Sequence, residues 1–373
     1  MPSSSSAHPP PPGRLLPPGA VVAARYRIER CLGSGGMGVV YRARHLTLGR
    51  MVALKVLDRG LEGSQWPQRF EREARTSALL DHAACVRVFD YGRTVDGDHF
   101  LAMELIEGPT LAAVLARVKR FPVSHAVRVV AELLGALEHA HGLGILHRDV
   151  KPENVMYADP DPWSRVVLID FGLSRLQQDT SMTAGGMCVG SPSYLAPERL
   201  LGKSGGERSD LYSLGVVLYE LLTGVKPFRG GNQQEITRAA VRTAAMPVRV
   251  LRPEVSEGLE RVVMRALSKD PDKRFASASA MLAALCEAPA PAPQAARPAV
   301  VVKAAPAAPS PSPRAVTPVG AGPARVQPAA AAANDNDGDE TPTLELPSAD
   351  LRPNRVKKML AWLRYGSWRW QDA

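Results

Sequence analysis

The chain has 373 residues, of which 45% are hydrophobic, enough for one large domain or two smaller ones with tails. Its formal net charge is +9, but charges of both signs are mixed and no nucleic-acid-binding motif stands in its expected context. The four cysteines are scattered without a CxxC pair, which argues against a disulfide framework and favours a reducing compartment. No signal peptide and no uncharged apolar stretch of about 18 residues is present, so we expect a cytoplasmic protein.

The first part of the chain predicts a small β-rich unit. Residues 1–24 are rich in serine and proline and are expected to be disordered. From Arg25 to Arg59, Val, Ile and Tyr alternate with charged residues around a glycine-rich turn, which is typical of strands. Ser64–Leu80 predicts a helix, with Ser64 as its cap and Pro67 in its first turn. The sequence FLAMELIEG then predicts a buried strand that runs into a glycine hinge.

Beyond Leu111 the pattern becomes helical. Ser124–Gly144 and Ser209–Gly224 predict long helices, and a third is predicted near Leu259–Ala266. We therefore expect an α+β fold in two lobes, a small β-rich one with one main helix and a larger helical one. Ligands favour the cleft between two such lobes.

The carboxy-terminal part is expected to have no core of its own. Residues 287–350 are Ala/Pro-rich and then acidic, which predicts a disordered linker. The acidic run NDNDGDE is not an EF-hand loop, because Ala333 and Leu344 would stand where oxygen ligands are needed. Residues 351–373 are basic and hold three of the five tryptophans, so they could dock a partner, pack on the domain or lie on an anionic membrane. We favour docking or packing, and Thr341 and Thr343 could bind a phosphothreonine-reading domain.

A glycine-rich motif and a lysine predict a phosphate-binding site. Gly33, Gly35 and Gly38 follow the GxGxxG spacing, and glycine lets a backbone approach phosphate oxygens closely. A dinucleotide-binding turn shares this spacing but requires a helix directly afterwards, whereas a strand follows here. Lys55 stands in the next strand, where a buried ammonium needs a charged partner, and Glu73 on the predicted helix is the expected one.

Three further polar side chains predict a magnesium site beside a proton acceptor. Asp170 emerges from the apolar strand VVLID, and Asn154 offers a neutral oxygen to the same metal. Mg²⁺ prefers hard oxygen ligands and takes few of them from the protein. Asp149 and Lys151 lie on the same short segment as Asn154.

Together these motifs resemble the signature of protein kinases. The glycine-rich loop, VALK, HRD…N, DFG and APE stand in family order between Tyr26 and Cys286. The segment HRDVKPEN is similar to serine/threonine kinases, and the short first lobe is similar to the eukaryotic-like kinases of bacteria. The resemblance implies a bilobal protein-kinase fold over residues 25–286, with lobes at 25–106 and 107–286. It also implies transfer of the γ-phosphoryl group of ATP to protein Ser/Thr hydroxyls, with Mg²⁺ as cofactor.

The resemblance also implies a role for each site residue. Asp149 would accept the substrate proton, Lys151 would neutralise the moving phosphoryl group, and Lys55 with Glu73 would hold phosphates. Asn154 and Asp170 would bind Mg²⁺, and Met103 would guard the rear of the adenine pocket. The implied nucleotide-binding residues are Leu32, Gly33, Ser34, Gly35, Gly36, Met37, Gly38, Val40, Ala53, Lys55, Glu104 and Ile106. Structural roles are implied for His147, Arg148, Glu198, Asp210 and Arg274.

Regulation and two alternative functions remain open at this stage. The segment QQDTSMTAGGMCVG carries Thr180, Ser181 and Thr183, of which Thr183 is the best candidate for activating autophosphorylation. An exposed polar loop that needs no modification is the alternative. A pseudokinase that only binds partners would typically lack a catalytic residue, and none is missing. A small-molecule phosphotransferase would not be expected to combine SPSYLAPE with the glycine-rich loop.

Overall fold

The computed structural model describes residues 15–35, 38–57, 66–171 and 192–288. The smaller lobe is an antiparallel sheet with the strand order β1-β2-β3-β4-β6-β5. Its strands are β1 (Val21–Val22), β2 (Tyr26–Gly35), β3 (Gly38–His45), β4 (Met51–Leu57), β5 (Val88–Arg93) and β6 (His99–Met103). The predicted strands therefore form, and β2 and β3 carry the glycine-rich hairpin.

Both faces of this sheet are apolar, because the strands alternate between two buried sets of side chains. One face gathers residues such as Ile28 and Tyr41, and the other gathers Leu57 and Leu101 against Phe70 of helix α1 (Trp66–Ser77). The predicted Ser64 cap of this helix lies outside the described residues. The helix ends at Ser77 rather than at Leu80, because Leu79 and Leu80 fold back in a turn.

The described part of the Ser/Pro-rich amino-terminal segment is ordered, contrary to the expectation from its composition. Val21–Val22 pair with β2, and the amide of Leu16 donates to the hydroxyl of Tyr41 at 3.0 Å. Val22 is buried with the side chains of β2 and β3. The apolar residues at the end of the segment thus cover a sheet edge that would otherwise be exposed.

The larger lobe is built around two helices that are buried on nearly all sides, α3 (Val123–Gly142) and α5 (Glu207–Thr223). A two-stranded ribbon of β7 (Val155–Tyr157) and β8 (Val166–Leu168) lies against α3. The remaining helices are α2 (Leu111–Val118), α4 (Pro197–Leu200), α6 (Gln233–Arg242), α7 (Val248–Leu251), α8 (Glu257–Ala266) and α9 (Ala278–Glu287). The predicted α+β fold in two lobes is confirmed.

The tails predicted from composition fall mostly outside the described ranges, so those expectations stay predictions. Within the described ranges, no helix combines the length and the apolar character that a membrane crossing requires.

The ribbon and the turn before it set the cleft, since the short 3₁₀ helix Pro152–Asn154 leads directly into β7.

Candidate active site

Asp149, Lys151 and Asn154 form one hydrogen-bonded group on the loop before β7. The Nζ of Lys151 lies 2.7 Å from Oδ2 of Asp149. The Nδ2 of Asn154 donates to the same Oδ2 at 2.9 Å and to the carbonyl of Asp149 at 2.9 Å. The loop therefore holds the Asp149 carboxylate by one oxygen, and no hydrogen bond among the described residues uses the other oxygen.

Asp170 and Lys55 form a second group beside the first. The Nζ of Lys55 lies 2.8 Å from Oδ1 of Asp170, and Lys55 is only 6% exposed. Burial acts to raise the pKa of Asp170, but the ion pair with Lys55 outweighs it and keeps that pKa below its usual value. Asp170 has a backbone φ of 65°, a left-handed conformation that is unusual for a residue with a side chain. Such strain is typical of functional positions.

The partner of Lys55 differs from the sequence-based expectation. Within the described residues, Lys55 pairs with Asp170 and not with Glu73. Helix α1 turns Phe70, Ala74 and Ser77 into the lobe, which leaves Glu73 half-buried at the border of that face. The Oγ of Ser77 donates to the carbonyl of Phe171 at 3.1 Å, so α1 is tied to the residue that follows Asp170.

Asp210 on α5 fixes the backbone of the loop that leads into Asp149. Its carboxylate accepts hydrogen bonds from the amides of His147 at 2.9 Å and Arg148 at 2.7 Å, and from Nε2 of His141 at 3.0 Å. Burial acts to raise the pKa of Asp210, but the hydrogen bond from His141 and the neighbouring amides hold it below its usual value. These bonds hold Arg148 at a φ of 67°, directly before Asp149.

His147 supports the same loop through buried contacts. It is fully buried, and its Nε2 lies 2.9 Å from the carbonyl oxygen of Ile169. Its ring meets the ring of Phe171 edge to face, with 4.7 Å between the centroids. His147 therefore links the segment before Asp149 to the segment around Asp170.

A buried arginine braces the segment that carries the APE sequence. Arg274 pairs with both carboxylate oxygens of Glu198 at 2.8 Å and donates to three backbone carbonyls, among them that of Ser268 at 2.8 Å. Ser209 donates its hydroxyl to Glu198 at 2.6 Å. Burial acts to raise the pKa of Glu198, but Arg274 and Ser209 keep it below its usual value.

The glycine-rich hairpin and the segment between the lobes carry the residues that the sequence assigns to nucleotide binding. Gly38 has a φ of 140°, and a Cβ there would lie 2.1 Å from the carbonyl oxygen of Val56, so no other residue fits. Val40 and Ala53 lie on adjacent strands of the hairpin side, and Met103 pairs with Ala53 in the neighbouring strand. No hydrogen bond among the described residues uses the amide of Ile106 or the carbonyl of Glu104.

The remaining site residues divide into placed and unplaced ones. Leu32, Gly33, Ser34 and Gly35 are exposed along β2. Gly36, Met37, Thr180, Ser181 and Thr183 lie outside the described residues. The structure thus brings Asp149, Lys151 and Asn154 beside Lys55 and Asp170, and the tip of the glycine-rich loop and the segment after Phe171 are not described.

Comparison with known proteins agrees with this geometry. The sequence matches the family model of the protein kinase domain over residues 26–285. The chain belongs to the protein kinase family. It is 39% identical over 278 residues to serine/threonine-protein kinase pkn3 of Myxococcus xanthus, covering 72% of this chain and 50% of that protein. It is also 40% identical over 268 residues to PknL of Mycobacterium tuberculosis, covering 71% of this chain and 66% of that protein.

A solved structure shows the same fold. The kinase domain of Mycobacterium tuberculosis PknI superimposes with a TM-score of 0.59 at 30% identity, over 74% of this chain and 99% of that domain. The chain spans about half the length of pkn3 and about two thirds of PknL. The resemblance to bacterial eukaryotic-like serine/threonine kinases is therefore confirmed.

The donor set fits the Mg²⁺ and ATP that this kinase fold implies. Asn154 uses its Nδ2 on Asp149, and within the described ranges no hydrogen bond involves its Oδ1 or Oδ2 of Asp170. Two hard oxygens beside a buried ammonium suit Mg²⁺, which takes its other ligands from water and phosphate. Among the described residues, no cluster of three or more His, Cys, Asp or Glu side chains that could hold a metal ion is present.

Two residues beside the site make contacts that the sequence did not reveal. His141 ends α3 and donates to Asp210, and the only signal is its position one turn before the loop. Gly108 ends the segment between the lobes, and a Cβ there would lie 2.1 Å from the carbonyl oxygen of Tyr157. The glycine was noted as a hinge, but this close approach depends on a residue far away in sequence.

Proposed function

We propose that this chain is an active serine/threonine protein kinase, which transfers the γ-phosphoryl group of ATP to hydroxyl groups of protein substrates. The observation that carries the proposal is the group of Asp149, Lys151 and Asn154 beside the ion pair of Lys55 and Asp170. One cleft would thus supply a proton acceptor, two ammonium groups and two oxygens for a metal ion.

The proposed reaction is an in-line displacement at phosphorus. The substrate hydroxyl oxygen bonds to the γ-phosphorus while the bond from that phosphorus to the oxygen of ADP breaks. The hydroxyl proton passes to Asp149, whose Oδ2 is held by Lys151 and Asn154, so Oδ1 is available to accept it. Lys151, whose Nζ contacts the same carboxylate, would neutralise charge that develops on the transferred group.

The cofactors would be held by groups that the fold already positions. Asn154 and Asp170 would bind Mg²⁺, which supplies charge neutralisation to the phosphates when bound. Lys55 would hold phosphate oxygens, and the backbone of Glu104 and Ile106 would hydrogen-bond adenine. Val40 and Ala53 would cover the adenine ring on the small-lobe side.

Regulation, partners and location form the outer part of the proposal. Autophosphorylation of Thr180, Ser181 or Thr183 would order the segment after Asp170 by adding charge-assisted bonds to basic groups. Residues 351–373 would dock a partner or contact a membrane surface, and Thr341 or Thr343 would bind a phosphothreonine reader. We expect the protein to act in the cytoplasm.

The decisive test compares wild type with Asp149→Asn in a radiolabelled ATP assay, using the protein itself and a generic protein substrate. Loss of the proton acceptor is expected to lower kcat at least about a hundredfold, while Mg·ATP still raises the melting temperature. Asp159→Asn, an exposed aspartate beyond the loop, serves as the control and is expected to keep full activity.

Two results would contradict the proposal. Full turnover by Asp149→Asn would show that this site does not perform the reaction. Binding of Mg·ATP by wild type without any phosphate transfer would instead indicate a pseudokinase that binds partners.

A further inference from the structure

The segment that connects the two lobes, residues 104–108, carries two glutamates, and each pairs with an arginine from a different lobe. The Nη1 of Arg42 on β3 lies 2.6 Å from Oε1 of Glu107. The Nη2 of Arg165, which directly precedes β8, lies 3.7 Å from Oε1 of Glu104. The connecting segment is thus held by charge from the small lobe on one side and from the large lobe on the other.

Arg42 links the connecting segment to the strands of the glycine-rich hairpin. Besides Glu107 it pairs with Glu29 on β2, with 3.3 Å between Nε and Oε2. Arg44, two residues further along β3, also pairs with Glu29 at 3.2 Å but has no ion pair to the connecting segment in the described part of the chain. Arg42 and Arg44 therefore share a strand and a partner but differ in whether they reach the hinge.

Arg165 links the connecting segment to the loop between α1 and β5. Its Nη1 donates to the carbonyl of Ala83 in that loop. The same loop is fixed to β8 by the amide of Leu168, which donates to the carbonyl of Ala84 at 2.8 Å. One guanidinium therefore connects the large lobe, the loop after α1 and Glu104.

We propose that Arg42 and Arg165 are positioning residues for the nucleotide, because their pairs with Glu107 and Glu104 fix the connecting segment against both lobes. We call these two ion pairs the hinge brace. The inference rests on the proposed function, since adenine would lie against this segment. Partly exposed ion pairs add little to folding stability. The two ion pairs instead fix the relative position of the two lobes, and this position sets the fraction of molecules that can bind the nucleotide.

The test is a double-mutant cycle on Arg42→Gln and Glu107→Gln in the full chain. We measure the KM for ATP, kcat and the dissociation constant of adenosine. Adenosine is uncharged and has no phosphate, so the charge of Arg42 cannot act on it directly. Each single variant is expected to raise KM and the adenosine constant about three- to fivefold, with kcat changed less than about twofold. The double variant is expected to equal either single one, because both remove the same pair.

Arg44→Gln is the matched control and is expected to leave both constants at the wild-type value. Arg165→Gln tests the other half of the brace and is expected to weaken adenosine binding by a similar factor. In 1 M NaCl, where the screening length falls to about 3 Å, these partly exposed pairs weaken, so wild type is expected to lose part of its advantage over Arg42→Gln.

The brace is refuted if Arg42→Gln and Arg165→Gln bind adenosine like wild type, or if the effects of Arg42→Gln and Glu107→Gln simply add. Either result leaves the proposed kinase activity intact as long as Asp149→Asn is inactive. Conversely, a wild-type protein that does not bind Mg·ATP would refute the proposed function itself.

Discussion

At the scale of single residues, Arg274 shows how much a charged side chain depends on its partner. Its side chain is completely buried, and Glu198 is the carboxylate that neutralises it. Removing one member of a buried pair leaves an uncompensated charge, which costs about 3–5 kcal/mol. We therefore expect Glu198→Gln to lower the free energy of unfolding, measured by urea denaturation, by about 3 kcal/mol.

The exposed pair of Arg249 and Glu257 provides the control for this prediction. Their side chains are 41% and 69% exposed at a separation of 3.1 Å, so Arg249→Gln is expected to cost less than about 1 kcal/mol. If the two variants lose the same free energy of unfolding, burial is not the reason why the Glu198–Arg274 pair stabilises the fold.

The sequence predicted which site residues share a loop better than it predicted the pairing of Lys55. The types and spacing of Asp149, Lys151 and Asn154 predict a shared loop, because five residues cannot separate them far. The partner of Lys55 depends instead on how α1 is rotated and on the left-handed backbone of Asp170, both of which are decided by tertiary packing. For the same reason the hinge brace has no signature in the sequence.

At the scale of elements, the turn between β1 and β2 contains two adjacent alanines in left-handed conformations. Ala23 has a φ of 50° and Ala24 a φ of 54°, where a side chain is disfavoured by about 1–2 kcal/mol per residue. Glycine relieves this strain but loses more entropy on folding. We expect Ala24→Gly to raise the free energy of unfolding by about 0.5–1 kcal/mol, as measured by urea denaturation.

The control is the same Ala→Gly change in a helix, where it is expected to lower the free energy of unfolding. Ala116 is exposed in the interior of α2, so Ala116→Gly is expected to lower the free energy of unfolding by about 1 kcal/mol. If both variants lose stability to the same extent, the left-handed turn carries no relievable strain.

Elements with strong periodicity were predicted closely, and elements defined by long-range contacts were not. The predicted helices at Ser124–Gly144 and Ser209–Gly224 correspond to α3 and α5 within two residues at each end, because their apolar spacing is sustained over many turns. Strand β1 was missed since two valines after a Ser/Pro-rich segment carry no pattern. Its pairing with β2 supplies what the local sequence lacks.

At the scale of the whole molecule, the loop after α1 docks the small lobe on helix α3 through two histidines. The rings of His82 and His139 stack with 5.8 Å between centroids. Both accept backbone hydrogen bonds, His139 from the amide of Asp81 at 3.1 Å and His82 from the amide of Ala84 at 3.1 Å. Arg87 pairs with Asp81 at 3.1 Å, so the nearest carboxylate is already engaged.

This docking predicts a loss of stability in mild acid. Burial, with a smaller contribution from His139, lowers the pKa of His82 from 6.5 to about 4. Between these values the unfolded chain binds more protons than the folded one, so the free energy of unfolding falls as pH falls from about 6.5 towards 4. Because His82 is partly exposed, we discount the full shift and expect a loss of about 1–2 kcal/mol.

His82→Gln keeps an acceptor for Ala84 but cannot be protonated, so its urea stability should fall less than that of wild type between pH 7 and pH 5. Carboxylates titrate equally in both proteins, and parallel curves would therefore rule out His82 as the cause.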